Sequence, residues 1–407
     1  MPKATIDSVE VSGNRVLMRV DFNVPVEDGR ITDDRRIVMA LPSIRSVLER
    51  NGRLILMSHL GRPGGTGYEE AFSLEPCARR LSELLGEAIR GEVGFPSRDC
   101  VGADAKSAVD GLADGEALLL ENLRFHKEEK SGDEAFAKKL ASYGDVYCNN
   151  AFGTCHREDA SMVAVPEHMK GRPRVAGSLV DQEIRYLSDS LKDPARPFVV
   201  VLGGAKVSDK LPAIEHLARK ADHILVGGAM AYTFLQAQGV AVGASRVEEE
   251  MLEDAKRAIA MASDNGCEIH LPRDHVCSTT FDEKTGNNKT FTGDIGKGFM
   301  GLDIGPDTRL HFASVIHESK TIVWNGPMGV FEWGLFAIGT RQVAEAIAEA
   351  TDEGATSIVG GGDSASAAST FGVDGRLSHV STGGGASLEM LSGKPFRSVE
   401  LLDDAQS

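Results

Sequence analysis

Nothing in these 407 residues marks the chain for export or for a membrane. The opening MPKATIDSVE has no apolar core segment, and no run approaches the ~20 apolar residues that a membrane helix needs. A soluble, cytoplasmic protein is therefore expected. Cysteine is sparse: Cys77, Cys100, Cys148, Cys155, Cys267 and Cys277 lie far apart, with no CxxC. That spacing argues against a disulfide framework and for reduced thiols. Cys155 and His156 adjoin, but no second cluster completes the four ligands of a zinc site. Positive charge is short as well, with 44 Lys and Arg against 60 Asp and Glu and a net charge of −16. Such a balance argues against a nucleic-acid or membrane-surface partner. Arginine outnumbers lysine among the cations, which fits a high-salt cytoplasm or a merely acidic enzyme. No GxxxxGK[ST] occurs, so Walker-type chemistry is not indicated, and no Ser-His-Asp or Cys-His nucleophile stands out.

The length suits two domains, and with 42% hydrophobic residues there is enough to fill two cores. Short apolar runs read as strands at 16–20, 54–57, 117–120, 146–148, 198–202, 224–226, 322–324 and 357–359. Most are continuously apolar, as parallel strands buried on both faces are. Helical patterns lie between them at 37–50, 73–85, 247–262 and 339–350. The alternation predicts an α/β chain with mostly parallel sheets and right-handed crossovers. A boundary is expected near 175–195, where VDQEIRYLSDSL (180–191) reads as one helix stopped by the prolines of DPARP. That helix reads either as a hinge carrier or as plain surface. The polar stretch 282–296 reads as an exposed hairpin or loop.

The first half ends its apolar runs in cations and amides. RVDFNVP places Asp21 and Asn23 on one face of a continuing strand, where they can hold a hydroxyl or form an Asx turn before Pro25. MSHLGRP delivers His59, Gly61 and Arg62; ENLRF delivers Glu121, Asn122 and Arg124; GTCHRED delivers His156 and Arg157. Arg36 opens a helix. Ligands of doubly wound sheets sit beyond the carboxyl ends of strands. Guanidinium forks there suit a small phosphate or carboxylate.

The second half offers glycine turns instead. GGAKVSDK (Gly203–Lys210) is a turn leading to a helix, with Lys206 and Lys210 expected one helical turn apart on one face. GGGDS (360–364) follows a buried strand and puts Asp363 at a helix N-cap position, where its carboxylate could hold Mg²⁺. STGGGAS (381–387) makes a second such helix start. Bare N–H groups at helix starts suit a nucleotide's phosphates. WNGPMGVFEW places Asn325 and Glu332 around a turn, near a ribose and base, while Trp324 and Trp333 read as packing. Two kinds of anion site suggest phosphoryl transfer between a small acid and a nucleotide, by positioning and charge stabilisation.

RVDFNVP, LMSHLGRP, LLENLRFH, NNAFGTCHR, GGAKVSDK, IVWNGPMGVFE, GGGDS and STGGGASLE together resemble the phosphoglycerate kinase family, in that family's order from residue 16 to residue 390. The resemblance implies two Rossmann-like three-layer domains joined by a hinge helix, a monomer, and reversible phosphoryl transfer from 1,3-bisphosphoglycerate to ADP after domain closure. It implies an acid-binding domain at 1–178, a nucleotide-binding domain at 179–390 that includes helix 180–191, and a tail, 391–407, packing back on the first. Carried over residue by residue, it makes Asp21, Phe22, Asn23, Arg36, His59, Leu60, Gly61, Arg62, Arg124 and Arg157 the acid site. Gly203, Lys206, Lys210, Gly301, Asn325, Glu332, Gly360, Gly361, Gly362, Asp363 and Ser364 become the nucleotide site, with Asp363 on Mg²⁺. Arg36 and Lys210, with Gly361 and Gly384 of the glycine turns, resemble the groups that stabilise the transferring phosphoryl. Asn150 stands where many relatives have Asp, and Cys155 where Ala is usual. Two other readings are a silent nucleotide or phosphate sensor, which would be expected to have lost Arg36, Lys210 or Asp363, and a kinase making other acyl phosphates.

Overall fold

The computed structural model describes residues 2–405. Backbone proximity divides the chain into two units, one of residues up to Arg185 together with those from Pro395 on, the other Tyr186–Lys394.

The first unit is built on five strands: β1 (Arg15–Val20), β2 (Arg53–Met57), β3 (Ala117–Leu119), β4 (Val146–Asn150) and β5 (Arg174–Ala176), in the order β3-β2-β1-β4-β5. Every pairing is parallel. The apolar runs become strands because both faces are covered: Val16, Leu17, Met18 and Val20 are all fully buried. Helices α1 (Arg35–Glu49) and α2 (Glu75–Leu85) send Ile37, Ile44, Val47 and Leu81 into the core formed on Val16, Met18, Leu54 and Leu56.

Helix α3 (Ser178–Leu187) carries the division between units. It is shorter than the expected 180–191 helix, since Ser188 leaves helical geometry (φ −125°, ψ −61°) and residues 189–191 form a 3₁₀ turn. The division falls at 185/186, beyond the expected 178/179, because the start of α3 is held in the first unit. The Ser178 N–H donates to Ser43 Oγ (2.8 Å), and the Leu179 N–H donates to Asn150 Oδ1 (3.0 Å). The return falls at 394/395 rather than 390/391, because the Lys394 N–H still donates to the Glu389 carbonyl (3.2 Å).

The second unit holds β6 (Phe198–Leu202), β7 (His223–Val226), β8 (Glu268–His270), β9 (Asp274–Ser278), β10 (Asn288–Thr292), β11 (Met300–Ile304), β12 (Thr321–Asn325), β13 (Thr356–Val359) and β14 (His379–Val380). Six of these form an all-parallel sheet ordered β8-β7-β6-β12-β13-β14. The other three form an antiparallel sheet, β10-β9-β11, so the polar stretch 282–296 is the turn and outer strand of a hairpin. Its helices include α4 (Leu211–Leu217), α5 (Pro306–His317), α6 (Ile338–Asp352), α7 (Gly362–Thr370) and α8 (Gly385–Leu391). The α/β class with mostly parallel sheets is as expected.

The C-terminal segment completes the edge of the first unit. The Ala4 carbonyl accepts from the Ala176 N–H on β5, and the Ala4 N–H donates to the Asp403 carbonyl (both 2.8 Å). The Asp403 carboxylate accepts from the Arg174 N–H (2.8 Å), Nε (3.2 Å) and Nη2 (2.7 Å). Three charge-assisted bonds to one carboxylate exceed an ordinary surface pair, so Asp403→Ala should cost about 1–3 kcal/mol. Urea titration should show the first unit's transition at lower denaturant; an unchanged midpoint would mean the clasp contributes nothing.

Candidate active site

In the first unit, the residues after β1, β2, β3 and β4 converge beyond the carboxyl ends of the sheet, and a buried arginine organises them. Arg19, on β1 and fully buried, donates through Nε to Ser161 Oγ (2.9 Å), and its Nη2 lies 3.0 Å from His59 Nδ1. A guanidinium has no acceptor, so His59 Nδ1 must accept and the proton must sit on Nε2. Burial, reinforced by Arg19, Arg124, Arg157 and Arg36, pushes the His59 imidazole well below its usual range. His59 is therefore a neutral ring offering one N–H donor rather than a cation. Ser161 in turn donates to Glu129, a buried carboxyl. Arg19 was not among the expected site residues, although a charge inside an apolar strand (VLMRV) was a readable signal.

Asp21 is ion-paired to Arg36 in the first turn of α1. Asn23 Oδ1 accepts from the Gly61 N–H (2.8 Å) and so ties the β1 loop to the β2 loop. Gly61 sits at φ +64°, and a Cβ there would collide with the Phe72 ring. Asn122 Nδ2 donates to the Leu60 carbonyl (2.7 Å) and the Phe72 carbonyl (2.9 Å), and its Oδ1 accepts from the Arg124 N–H (3.0 Å). Arg124 then donates through Nη1 to the Gly61 carbonyl (2.9 Å). Its buried Nε and Nη2 have no hydrogen-bond partner among the described residues, with the Asp159 carboxylate 3.8 Å from Nη2. Orphaned buried guanidinium N–H groups are rare and point to an anion. Arg157 stands near enough to lower both His59 and Arg124, and Arg62 is exposed on its loop. Phe22 and Leu60 differ from the rest: both side chains are packed in the core, so only their backbone faces the loops. Asn150 is taken up by the start of α3, and Cys155 is an inert thiol pushed up to about 12 by burial.

In the second unit, glycines let backbones touch. A Cβ at Gly203 would collide with the Pro327 carbonyl, and one at Gly228 (φ +68°) with the Gly204 backbone. A cavity of about 460 Å³ opens there, lined largely by apolar groups such as Gly204, Gly228, Leu302, Pro327 and Val330, with Gly301, Glu332 and Asp363 also on its wall. Gly227 and Gly228 follow strand β7 as Gly203 and Gly204 follow β6, a parallel visible in the sequence. A smaller cavity of about 220 Å³ is lined by Lys210, Asn325, Gly361, Gly362, Ser364, Gly384 and, again, Asp363. Asn325 thus lies with the lysine and glycine turns, away from Glu332. Its Oδ1 accepts from Lys210 Nζ, and its buried Nδ2 has no partner among the described residues.

Two expectations change. Lys206 and Lys210 do not share a helix face, because α4 starts only at Leu211 with Pro212 in its first turn; Lys206 is exposed and Lys210 half-buried. Asp363 is not an N-cap. Gly361 (φ +91°) caps α7, and Asp363 is the second helical residue, its carboxylate exposed. Ser364 is buried and accepts from the Gly326 N–H (2.6 Å). Burial pushes the Lys210 ammonium down to about 8, with Asp363 and Asp209 pulling the other way.

Comparison with known proteins agrees with this geometry. The family model described as phosphoglycerate kinase matches residues 6–394. A phosphoglycerate kinase of Rhodopirellula baltica is 55% identical over 408 residues, covering 100% of both chains. One of Chloroherpeton thalassium is 48% identical over 405 residues, again covering 100% of each. The solved phosphoglycerate kinase of Coxiella burnetii superposes with a TM-score of 0.90 at 37% identity, covering 98% of both chains. That of Pyrococcus horikoshii gives 0.81 at 32%, with the same coverage. A family match over nearly the whole chain and full-length relatives at about half identity leave one conclusion: this chain belongs to the phosphoglycerate kinase family.

Proposed function

We propose that the two half-sites divide the reactants of the family's reaction, the phosphorylated acid on the first unit and the nucleotide on the second. The reaction is reversible transfer of a phosphoryl group from 1,3-bisphosphoglycerate to ADP, giving 3-phosphoglycerate and ATP, a step of glycolysis and gluconeogenesis. One observation carries the nucleotide assignment: Asp363 borders both cavities of the second unit, the apolar one and the lysine–glycine one. A base and ribose fit the first, with Glu332 and Gly301 on its wall, and the phosphates fit the second beside Lys210 and the N–H groups of Gly361 and Gly384. For the acid, Arg62, Arg124 and Arg157 take its anionic ends. The neutral His59 and the Asp21–Arg36 pair address the carboxyl group, with Asn23 holding the loop between them.

Mg²⁺ fits this arrangement. The Asp363 carboxylate is exposed and lines the cavity that holds Lys210 and the glycine turns. A hard cation bound by one carboxylate and phosphate oxygens is the usual magnesium pattern, and it neutralises phosphate charge. Direct transfer further requires the acyl phosphate and ADP to meet with water excluded, and α3 is the element about which such closure would turn. The protein acts as a cytoplasmic monomer in this reading.

Arg36→Ala should lower kcat by about 10²–10³ while leaving Mg-ADP affinity nearly unchanged, since the donor is needed when charge develops on the transferring group. Turnover close to wild type in a coupled ATP-forming assay would exclude that role. Asp363→Asn should shift the Mg²⁺ titration of activity to higher concentration without a matching loss of 3-phosphoglycerate affinity. A superimposable titration would remove Asp363 from the metal.

Lys210 supplies a pH test. With its ammonium pushed down to about 8, the free protein loses that charge as pH rises through 8. Bound phosphates favour the protonated form, so Mg-ADP affinity should fall above pH 8. Lys210→Arg keeps its charge there and should carry the fall to higher pH. Calorimetric Kd values that rise in parallel for both proteins between pH 7 and 10 would detach the effect from Lys210.

A further inference from the structure

At the edge of the second unit's parallel sheet, His223 opens β7 and Glu268 opens β8 as register partners, the opposite end from the glycine turns. Strand alternation puts His270 on the same face as Glu268, and His311 reaches it from α5. Hydrogen-bond direction along this cluster can be deduced. Arg273 Nη2 lies 3.3 Å from His311 Nε2, and a guanidinium only donates, so His311 Nε2 accepts. His270 Nδ1, 3.0 Å from the same nitrogen, must then be the protonated one. His270 Nε2 is left with a bare lone pair. That nitrogen lies 3.1 Å from His223 Nδ1 and 3.7 Å from Glu268 Oε2, and Glu268 Oε2 lies 3.9 Å from His223 Nδ1.

We propose that His223 Nδ1, His270 Nε2 and Glu268 Oε2 form a binding site for a divalent transition ion, Zn²⁺ by its donor set, with His311 and Arg273 as positioning residues. The three atoms form a triangle whose edges bracket the roughly 3.3 Å ligand separation of a tetrahedral ion with bonds of about 2.0–2.1 Å. Two imidazoles and one carboxylate with a fourth position open to water suit zinc and not Mg²⁺, which selects oxygen ligands. The His270–His311 bond is the outer hydrogen bond that fixes tautomer and ring orientation for metal-ligating histidines. The side chains are graded for access, with His270 7% exposed at the floor, His223 32% and Glu268 68% at the rim. A bound ion would pin edge strand β8 to β7.

The test titrates Zn²⁺ alone into the chelator-stripped full chain by calorimetry, with excess Mg²⁺ present to fill oxygen-only sites. One tight equivalent is expected, weakened at least tenfold in His223→Ala and in Glu268→Gln, and roughly 10–100-fold in His311→Ala, which removes no ligand. Glu268 is exposed, so Glu268→Gln should fold normally. Asp99→Asn, in the separate Asp99–Cys100–His126 cluster, should leave that equivalent intact. Long-range ¹H–¹⁵N spectra should show His270 protonated on Nδ1 before zinc, and its Nε2 resonance moving when zinc is added. Absence of the tight equivalent would overturn the site and leave a His223–His270 hydrogen bond only. So would equal affinity in His223→Ala and Glu268→Gln, or loss of the equivalent in Asp99→Asn.

Discussion

Arg19 sets the constraint on which the first half-site rests. A guanidinium buried inside a parallel sheet is tolerable only with its charge opposed and its N–H groups accepted. The buried Glu129 behind Ser161 opposes the charge, while Ser161 Oγ, His59 and the Val20 carbonyl accept. The ring of His59 is therefore fixed in tautomer and orientation before any substrate arrives. Arg36 and Arg124 are oriented in turn by Asp21 and Gly61. A chain of net charge −16 repels phosphates overall, so the attraction must be local. The arginines supply it at the carboxyl ends of β1 to β4.

Backbone contact rather than charge organises the second unit. Gly203, Gly204, Gly228 and Gly326 allow three strand ends to approach until their peptide groups touch. That closeness opens an apolar slot on one side and leaves Lys210, Asn325 and the α7 start on the other. Lys210 is the main cation lining the smaller cavity, and its partial burial makes its charge conditional on what lies beside it.

Much of this was legible in the sequence. Parallel strands buried on both faces are mostly continuously apolar, so the runs at 54–57, 198–202 and 322–324 could hardly be anything else. Strands β8 and β9 were not legible, since EIH and DHVCS spend polar residues on tertiary partners: Asp274 accepts from Thr308 Oγ1 (2.6 Å) and the Thr308 N–H (2.9 Å) at the start of α5. Motif spacing gave the cations and glycines but not their grouping. Asn325 and Glu332 are close in sequence yet border different cavities, because Gly326 and Pro327 turn the chain between them. Arg19 is a related case: the charge stands out in VLMRV, but its partners Ser161 and His59 lie far along the chain, where a sequence does not show them.

The clasp of Asp403 on Arg174 bears on the order in which the polypeptide is completed at the ribosome. The second unit is one uninterrupted stretch, Tyr186–Lys394, and has all its strands once that stretch has emerged. The first unit, although begun earlier, keeps β5 as an incompletely covered margin until Asp403 arrives, more than two hundred residues after Arg174. An exposed strand margin invites pairing with other chains. During synthesis the amino-terminal unit is therefore the later one to be sealed and the one more in need of protection from its neighbours on a polysome.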